Sequence, residues 1–218
     1  MGRPKLQIAL DTFDLPSALG PLQMAQQYID VIEVGTILCL SQGMEAVRII
    51  RSLYPDKTIL ADVRIVEAGS IISKMCFEAG ADWVSVVSGA SMTTAEVVHK
   101  VAQGYGGQVQ VELSEGWTWD MARQWRDMGI PQVIAKRSRD SEAAGSLAWG
   151  PQSLDTVRTL DEMGFKVTVT GGIQPPDIVR FAGVPVYIFI AGRAIVQAED
   201  PAAAAQSFRD VIASTFGL

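Results

Sequence analysis

Apolar runs of strand length alternate with amphipathic helical segments from one end of this chain to the other, and that alternation constrains the fold more than any other feature. Eight such repeats can be counted. The strands read as Leu6 to Leu10, Val31 to Val34, Ile59 to Ala61, Trp83 to Val87, Gln108 to Leu113, Gln132 to Ala135, Lys166 to Val169 and Val186 to Ile190. The helices read as Ala18 to Tyr28, Met44 to Leu53, Ala68 to Ala79, Thr93 to Ala102, Trp119 to Met128, Leu154 to Met163 and Ala202 to Phe216. Gly80, Gly129 and Gly164 stand where three of these helices stop, a position that favours glycine. In a chain of 218 residues the pattern predicts a single (β/α)8 TIM barrel spanning residues 1–218, near the lower size limit of that fold. No linker or shift of composition divides it. The competing doubly wound open sheet needs a glycine-rich fingerprint early in the chain, and none is there.

In such a barrel the functional face is the end where strands give way to helices. Asp11, Glu33, Asp62, Arg64, Glu112, Lys136, Arg139, Thr170 and Arg193 all stand at or near predicted strand exits. The densest cluster is ILADVRIVEAG, Ile59 to Gly69, where a buried strand runs into Asp62, Arg64 and Glu67. If the extended backbone continues, Asp62 and Arg64 project to the same side, and Glu67 falls in the first turn of the next helix. A salt bridge at a strand end would explain this stretch alone; the convergence of charge from many strands on one mouth points to a site.

Two glycine turns follow the last two strands, Thr170-Gly171-Gly172 and Ala191-Gly192-Arg193. Glycines let backbone N–H groups approach an anion, and Arg193 adds a full charge, so these turns either reverse the chain or hold a phosphate. Phosphates often bind at this place in such barrels. Glu33 and Asp62 leave adjacent strands, and their mutual repulsion would be settled by a hard cation such as Mg2+ or by Arg64.

Composition excludes several classes. A hydrophobic fraction of 48% with 19% charged residues argues against disorder, and no apolar run is long enough to span a bilayer. The start, MGRPKLQIAL, is too short in its apolar part to be a secretory signal, so a cytoplasmic protein without membrane contact is expected. A net charge of −6 disfavours nucleic acid as a partner. Cys39 and Cys76 sit among apolar neighbours and read as buried thiols. His99, the only histidine, lies in a helical pattern, so neither a histidine triad nor a Cys/His zinc site can be assembled.

The segments QIALD, DVIEVGTILC (Asp30 to Cys39), KMCFEAGADWV (Lys74 to Val84), WTW (Trp117 to Trp119), RSRD (Arg137 to Asp140), MGFKVTVTGG (Met163 to Gly172) and FIAGRAI (Phe189 to Ile195) together cover the length of the chain. In them it resembles the 3-keto-L-gulonate 6-phosphate decarboxylases of the orotidine monophosphate decarboxylase superfamily, close kin of hexulose-6-phosphate synthases. The resemblance implies Mg2+-assisted loss of CO2 from a phosphorylated β-keto sugar acid, through an enediolate, to L-xylulose 5-phosphate. It further implies Glu33 and Asp62 as metal ligands, Asp11 and Glu112 as substrate contacts, Arg139 in the region that delivers a proton, and Gly171, Gly172, Gly192 and Arg193 around the phosphate. The acid ending the central motif serves the neighbouring subunit in that family, so a homodimer is implied.

This chain departs from the family at three places. The central motif Asp-x-Lys-x-x-Asp becomes Asp62-Val63-Arg64-Ile65-Val66-Glu67, and Lys136 stands where such decarboxylases usually carry a histidine. The charge signs survive in the motif, yet a guanidinium holds its protons and differs in shape from an ammonium. Two other functions stay open at this level: an aldolase-type lyase, through the same enediolate or a Schiff base on Lys136, and a non-catalytic sugar-phosphate-binding paralogue.

Overall fold

The structure, a computed structural model, describes residues 2–137 and 149–217. Eight strands pair in chain order into a closed barrel. They are β1 (Lys5–Leu10), β2 (Val31–Val34), β3 (Thr58–Ile65), β4 (Trp83–Val87), β5 (Gln108–Glu112), β6 (Gln132–Lys136), β7 (Lys166–Thr170) and β8 (Ile188–Ala191). Every pairing is parallel, and β1 against β8 closes the ring. The expected (β/α)8 barrel is therefore the observed one. Around it lie α1 (Leu15–Ala25), α2 (Thr36–Gln42), α3 (Glu45–Leu53), α4 (Gly69–Glu78), α5 (Met92–Gly104), α6 (Trp119–Asp127), α7 (Pro151–Glu162), α8 (Pro175–Ile178), α9 (Arg193–Val196) and α10 (Pro201–Phe216).

Three of these helices leave no periodic signal in the sequence: α2, α8 and α9 are one or two turns long, too short to show an apolar period. The first long helix also stops earlier than the periodicity suggests, ending at Ala25 and finishing as a 3-10 turn over Gln26–Tyr28.

Alternation along the strands sorts side chains into two layers. Ala9, Val31, Leu60, Trp83, Ile134, Ile188 and Ile190 form a cluster inside the barrel. The intervening residues, Ile8, Ile32, Ile59, Val84, Val133 and Phe189 among them, belong to a larger core shared with the helices. Two residues beyond the inner cluster, on the same side of each strand, come Asp11, Glu33, Asp62, Ser85, Lys136 and Gly192. Period two thus carries a greasy interior up to a polar mouth.

At the opposite end, aromatics and cations gather at or just before the starts of their strands. The Lys5 Nζ lies 5.9 Å from the Trp83 ring centroid and 5.2 Å from that of Tyr187, and the Lys166 Nζ lies 5.2 Å from Tyr187 on another side. Helix starts are fixed by side-chain caps: Asp14, Ser91, Thr118 and Asp200 each accept a hydrogen bond from a backbone N–H three residues on.

On the outer face, Phe189 is fully buried and its ring meets those of Phe181 at 5.3 Å and Phe216 at 6.0 Å, which fastens α10 to the last strand. Phe189→Ala is expected to cost about 3–5 kcal/mol. Thermal unfolding followed by circular dichroism should show a Tm lower by roughly 2–4 °C for each kcal/mol in a chain of this size.

Candidate active site

Strand ends and the loops after them enclose a cavity of about 700 Å3 at the mouth of the barrel. Asp11, Glu33, Asp62, Arg64, Glu112, Lys136, Thr170, Gly171, Gly172, Gly192 and Arg193 all line it. Of the remaining residues singled out in the sequence, Glu67 is exposed and does not line this cavity, and Arg139 lies outside the described residues. The helix after β3 starts at Gly69, so Glu67 precedes its first turn rather than sitting in it. His99 is buried on α5 and is not among the lining residues.

Carboxylates dominate the floor. Glu33 is 7% exposed, Asp62 3% and Glu112 4%. Burial first, and then the charges of Asp62 and Asp11, push the Glu33 carboxyl well above the usual range; a hydrogen bond from the Gln7 amide at 2.5 Å pulls the other way. Asp62 is held from several sides. Its Oδ1 accepts from the Ser85 hydroxyl at 2.6 Å and its Oδ2 from the Thr36 hydroxyl at 2.7 Å, with the Arg64 Nε at 3.5 Å. Glu112 is bracketed by two cations, the Lys136 ammonium on Oε1 and the Arg64 Nη2 at 3.3 Å from Oε2. Burial works against the Arg64 charge, but Asp62 and Glu112 outweigh it and hold the guanidinium proton more tightly than usual.

The expectation that Asp62 and Arg64 share a side because the strand stays extended needs correction. Arg64 has φ +47°, in the left-handed region, and the ladder between β3 and β4 shifts register between Ala61 and Ile65. A bulge, not simple alternation, brings its side chain over Asp62 and Glu112. The local sequence carries no glycine there to announce it.

Asp11 is accommodated by a different device. A Cβ on Gly35 would lie 2.3 Å from the Asp11 Oδ1, which accepts from the Ile37 N–H at 3.3 Å. Only glycine after β2 lets that carboxylate settle at the start of α2.

Across the cavity the β7 and β8 turns supply the anion-friendly wall. Gly171 and Gly172 have φ +107° and +62°, and a Cβ on Gly171 would stand 2.7 Å from the Arg137 backbone nitrogen and oxygen. The Arg137 Nε donates to the Gly171 carbonyl at 2.8 Å, and its guanidinium lies 5.7 Å from the Trp149 ring centroid. Arg193 heads α9 directly after Gly192. Thr36, Arg137 and Gln174 line the cavity without having been singled out for it in the sequence; the first opens α2 and the third caps α8, short helices whose periodicity is unreadable.

Two carboxylates from adjacent strands, Glu33 and Asp62, both line the cavity and are the residues that could hold a hard cation. Among the described residues no group of three or more His, Cys, Asp or Glu could hold a metal by protein ligands alone. An ion held by these two alone would have to complete its coordination with water and substrate oxygens. Burial and the neighbouring Asp62 and Asp11 push Glu33 upward, and a cation there would relieve that push.

The match of the chain with known proteins extends over its whole length. Residues 4–208 match the orotidine 5'-phosphate decarboxylase / HUMPS family. A 3-keto-L-gulonate-6-phosphate decarboxylase of Salmonella paratyphi B is 49% identical over 217 residues, covering 100% of both chains. Among solved structures, KGPDC from Streptococcus mutans superposes with TM-score 0.96 at 42% identity, covering 99% of this chain and 100% of that one. A 3-hexulose-6-phosphate synthase from Salmonella typhimurium gives TM-score 0.89 at 29% identity, covering 97% and 99%.

The buried acid has a thermodynamic consequence in metal-free protein. A carboxyl whose folded pKa lies above its unfolded value binds more protons when folded, so its effect on stability is most favourable below the unfolded value and is lost as pH rises toward the folded one. Glu33→Gln should therefore stabilise the fold in EDTA at pH 8, by about 2–4 °C in Tm for each kcal/mol relieved. The gain should shrink as the pH is lowered to about 4, near the usual carboxylate value; a constant gain at all pH values would contradict the assignment.

Proposed function

We propose that this chain, which belongs to the orotidine 5'-phosphate decarboxylase / HUMPS family, is a carboxy-lyase that converts 3-keto-L-gulonate 6-phosphate to L-xylulose 5-phosphate and CO2. The observation that carries the reading is the placement of Arg64 between Asp62 and Glu112 on one side of a cavity whose other side is the pair of glycine turns with Arg193. Decarboxylation of a β-keto acid breaks the bond to the carboxylate and leaves its electron pair on an enediolate. A fixed cation close to that charge, with the phosphate held at a distance by Thr170, Gly171, Gly172, Gly192 and Arg193, favours the transition state over the bound substrate.

Each side chain then has a stated task. Arg64 stabilises the enediolate as a permanent charge and does not donate the proton. Glu112 orients Arg64 and Lys136 and offers an acceptor to a substrate hydroxyl; Asp11 does the same from β1. Lys136, with Arg139, serves the region that returns a proton to carbon. Glu33 and Asp62 would hold Mg2+. When bound, the ion draws charge off the substrate oxygens. Glu67 serves the site of a second copy in a homodimer, a reading supported by its exposure and by the exposed apolar side chains around it, Val66, Ile71 and Met75. No described helix is long and apolar enough to cross a membrane.

The likeness to a 3-hexulose-6-phosphate synthase supports a second reading, an aldolase-type lyase using the same enediolate. Its Schiff-base form is disfavoured by the ion pair that engages Lys136 with Glu112. Borohydride trapping with sugar phosphates separates the two: a covalent adduct at Lys136 supports the imine.

CO2 release from 3-keto-L-gulonate 6-phosphate with Mg2+ is expected for the native chain and for Arg64→Lys, with loss on adding EDTA. Arg64→Ala should lower kcat by about 100-fold or more, the usual cost of removing a preorganised charge. No release from either the native chain or Arg64→Lys would remove this reading. A second substitution addresses the phosphate wall. Gly171→Ala is expected to raise KM by about tenfold or more, since strain and collision with Arg137 must displace the turn; an unchanged KM would place the phosphate elsewhere.

A further inference from the structure

On the barrel's inner side, β4 carries a serine opposite the bulge that shapes the central motif. Ala61 pairs with Val84 and Ile65 with Val86, so Asp62, Val63 and Arg64 on β3 face a single residue of β4, Ser85. That residue is fully buried. Its hydroxyl donates to the Asp62 Oδ1 at 2.6 Å and accepts from the Arg64 backbone N–H at 2.9 Å. One oxygen thereby ties the carboxylate of one motif residue to the main chain of the other.

We propose that Ser85 is a positioning residue for the reaction: it holds Arg64 in its left-handed backbone conformation and so places the guanidinium between Asp62 and Glu112. The proposal deepens the decarboxylase reading and rests on it. The physical reason lies in the missing ladder. Where three residues bulge against one, the Arg64 N–H loses its strand partner, and a buried unpaired donor is costly. A non-glycine residue at φ +47° is held there only by its surroundings. The Ser85 hydroxyl supplies the lost acceptor and, by donating its own proton to Asp62, fixes the separation of the two motif residues. Without it, Arg64 is free to return to ordinary strand geometry, and the guanidinium moves off the contacts at 3.5 Å to Asp62 and 3.3 Å to Glu112. Serine is also small enough to stand opposite three residues of backbone.

The test combines structure and kinetics on Ser85→Ala, Ser85→Cys and Ser85→Thr. A crystal structure of Ser85→Ala, or of Ser85→Cys if the alanine variant does not fold, should show Arg64 with negative φ and its guanidinium beyond ion-pair distance of Glu112. Steady-state CO2 release should show kcat lower by about tenfold or more in Ser85→Ala, the scale of a misplacement by about 1 Å. KM should stay within about threefold, because the phosphate turns on β7 and β8 are untouched. Ser85→Thr, which keeps the hydroxyl, should recover most of the rate. In an Arg64→Ala background the further change to Ser85→Ala should alter kcat by less than about twofold, since groups acting as one unit are not additive. The proposal is overturned if Arg64 keeps its conformation in the variant structure, or if the loss is equal in both backgrounds. The structural arm stands whether or not this substrate is turned over, so a failure of the assigned reaction is distinguishable from a failure of Ser85.

Discussion

Three carboxylates buried at the mouth of a closed barrel require positive charge, and the rest of the site is arranged around that requirement. Glu33, Asp62 and Glu112 are each less than a tenth exposed, in a place where an unpaired negative charge is strongly disfavoured. Arg64 answers two of them at once and Lys136 answers one of them again. Neutral donors do the remainder: Gln7 to Glu33, Thr36 and Ser85 to Asp62. Among the three, Glu33 has the neutral Gln7 amide as its partner, and it is the acid pushed toward its protonated form. The chemistry assigned to the cavity draws on the same imbalance, because a substrate or cation that brings charge of the right sign is received by groups already fixed in place.

Arginine in the central motif, where the resemblance implies lysine, acquires a geometric meaning here. An ammonium offers one nitrogen, whereas the guanidinium is a planar fork whose Nε faces Asp62 and whose Nη2 faces Glu112. Glu112 is simultaneously bound by Lys136, at the position where the resemblance implies a histidine. The two departures thus meet on one carboxylate. Within the motif the sign of charge is retained, while the guanidinium fork sets the hydrogen-bonding shape.

Much of this was readable from residues alone. The strands announced themselves as apolar runs, and β2 and β4 have the bounds their composition suggests. The gathering of Asp11, Glu33, Asp62, Glu112, Lys136 and Arg193 follows from parallel strands whose ends share a face, so their convergence needed no coordinates. What escaped was what period two and period 3.6 cannot encode. Helices of one or two turns show no amphipathic stripe, which hid Thr36 and Gln174. A bulge without glycine leaves no mark, which hid the true path of Arg64 and the part played by Ser85. Glu67 was assigned to a helix turn because the left-handed Ala68 that delays the helix is not a residue type that advertises such a conformation.

The stacked cations and rings at the far end of the barrel, Lys5 and Lys166 around Trp83 and Tyr187, have a kinetic meaning. With the apolar cluster that fills the barrel above them, they leave the chamber one door. Whatever is consumed arrives through the opening by which every product departs, so a lingering sugar ester plugs the passage against its successor. Substrate and product therefore share one seat and one route.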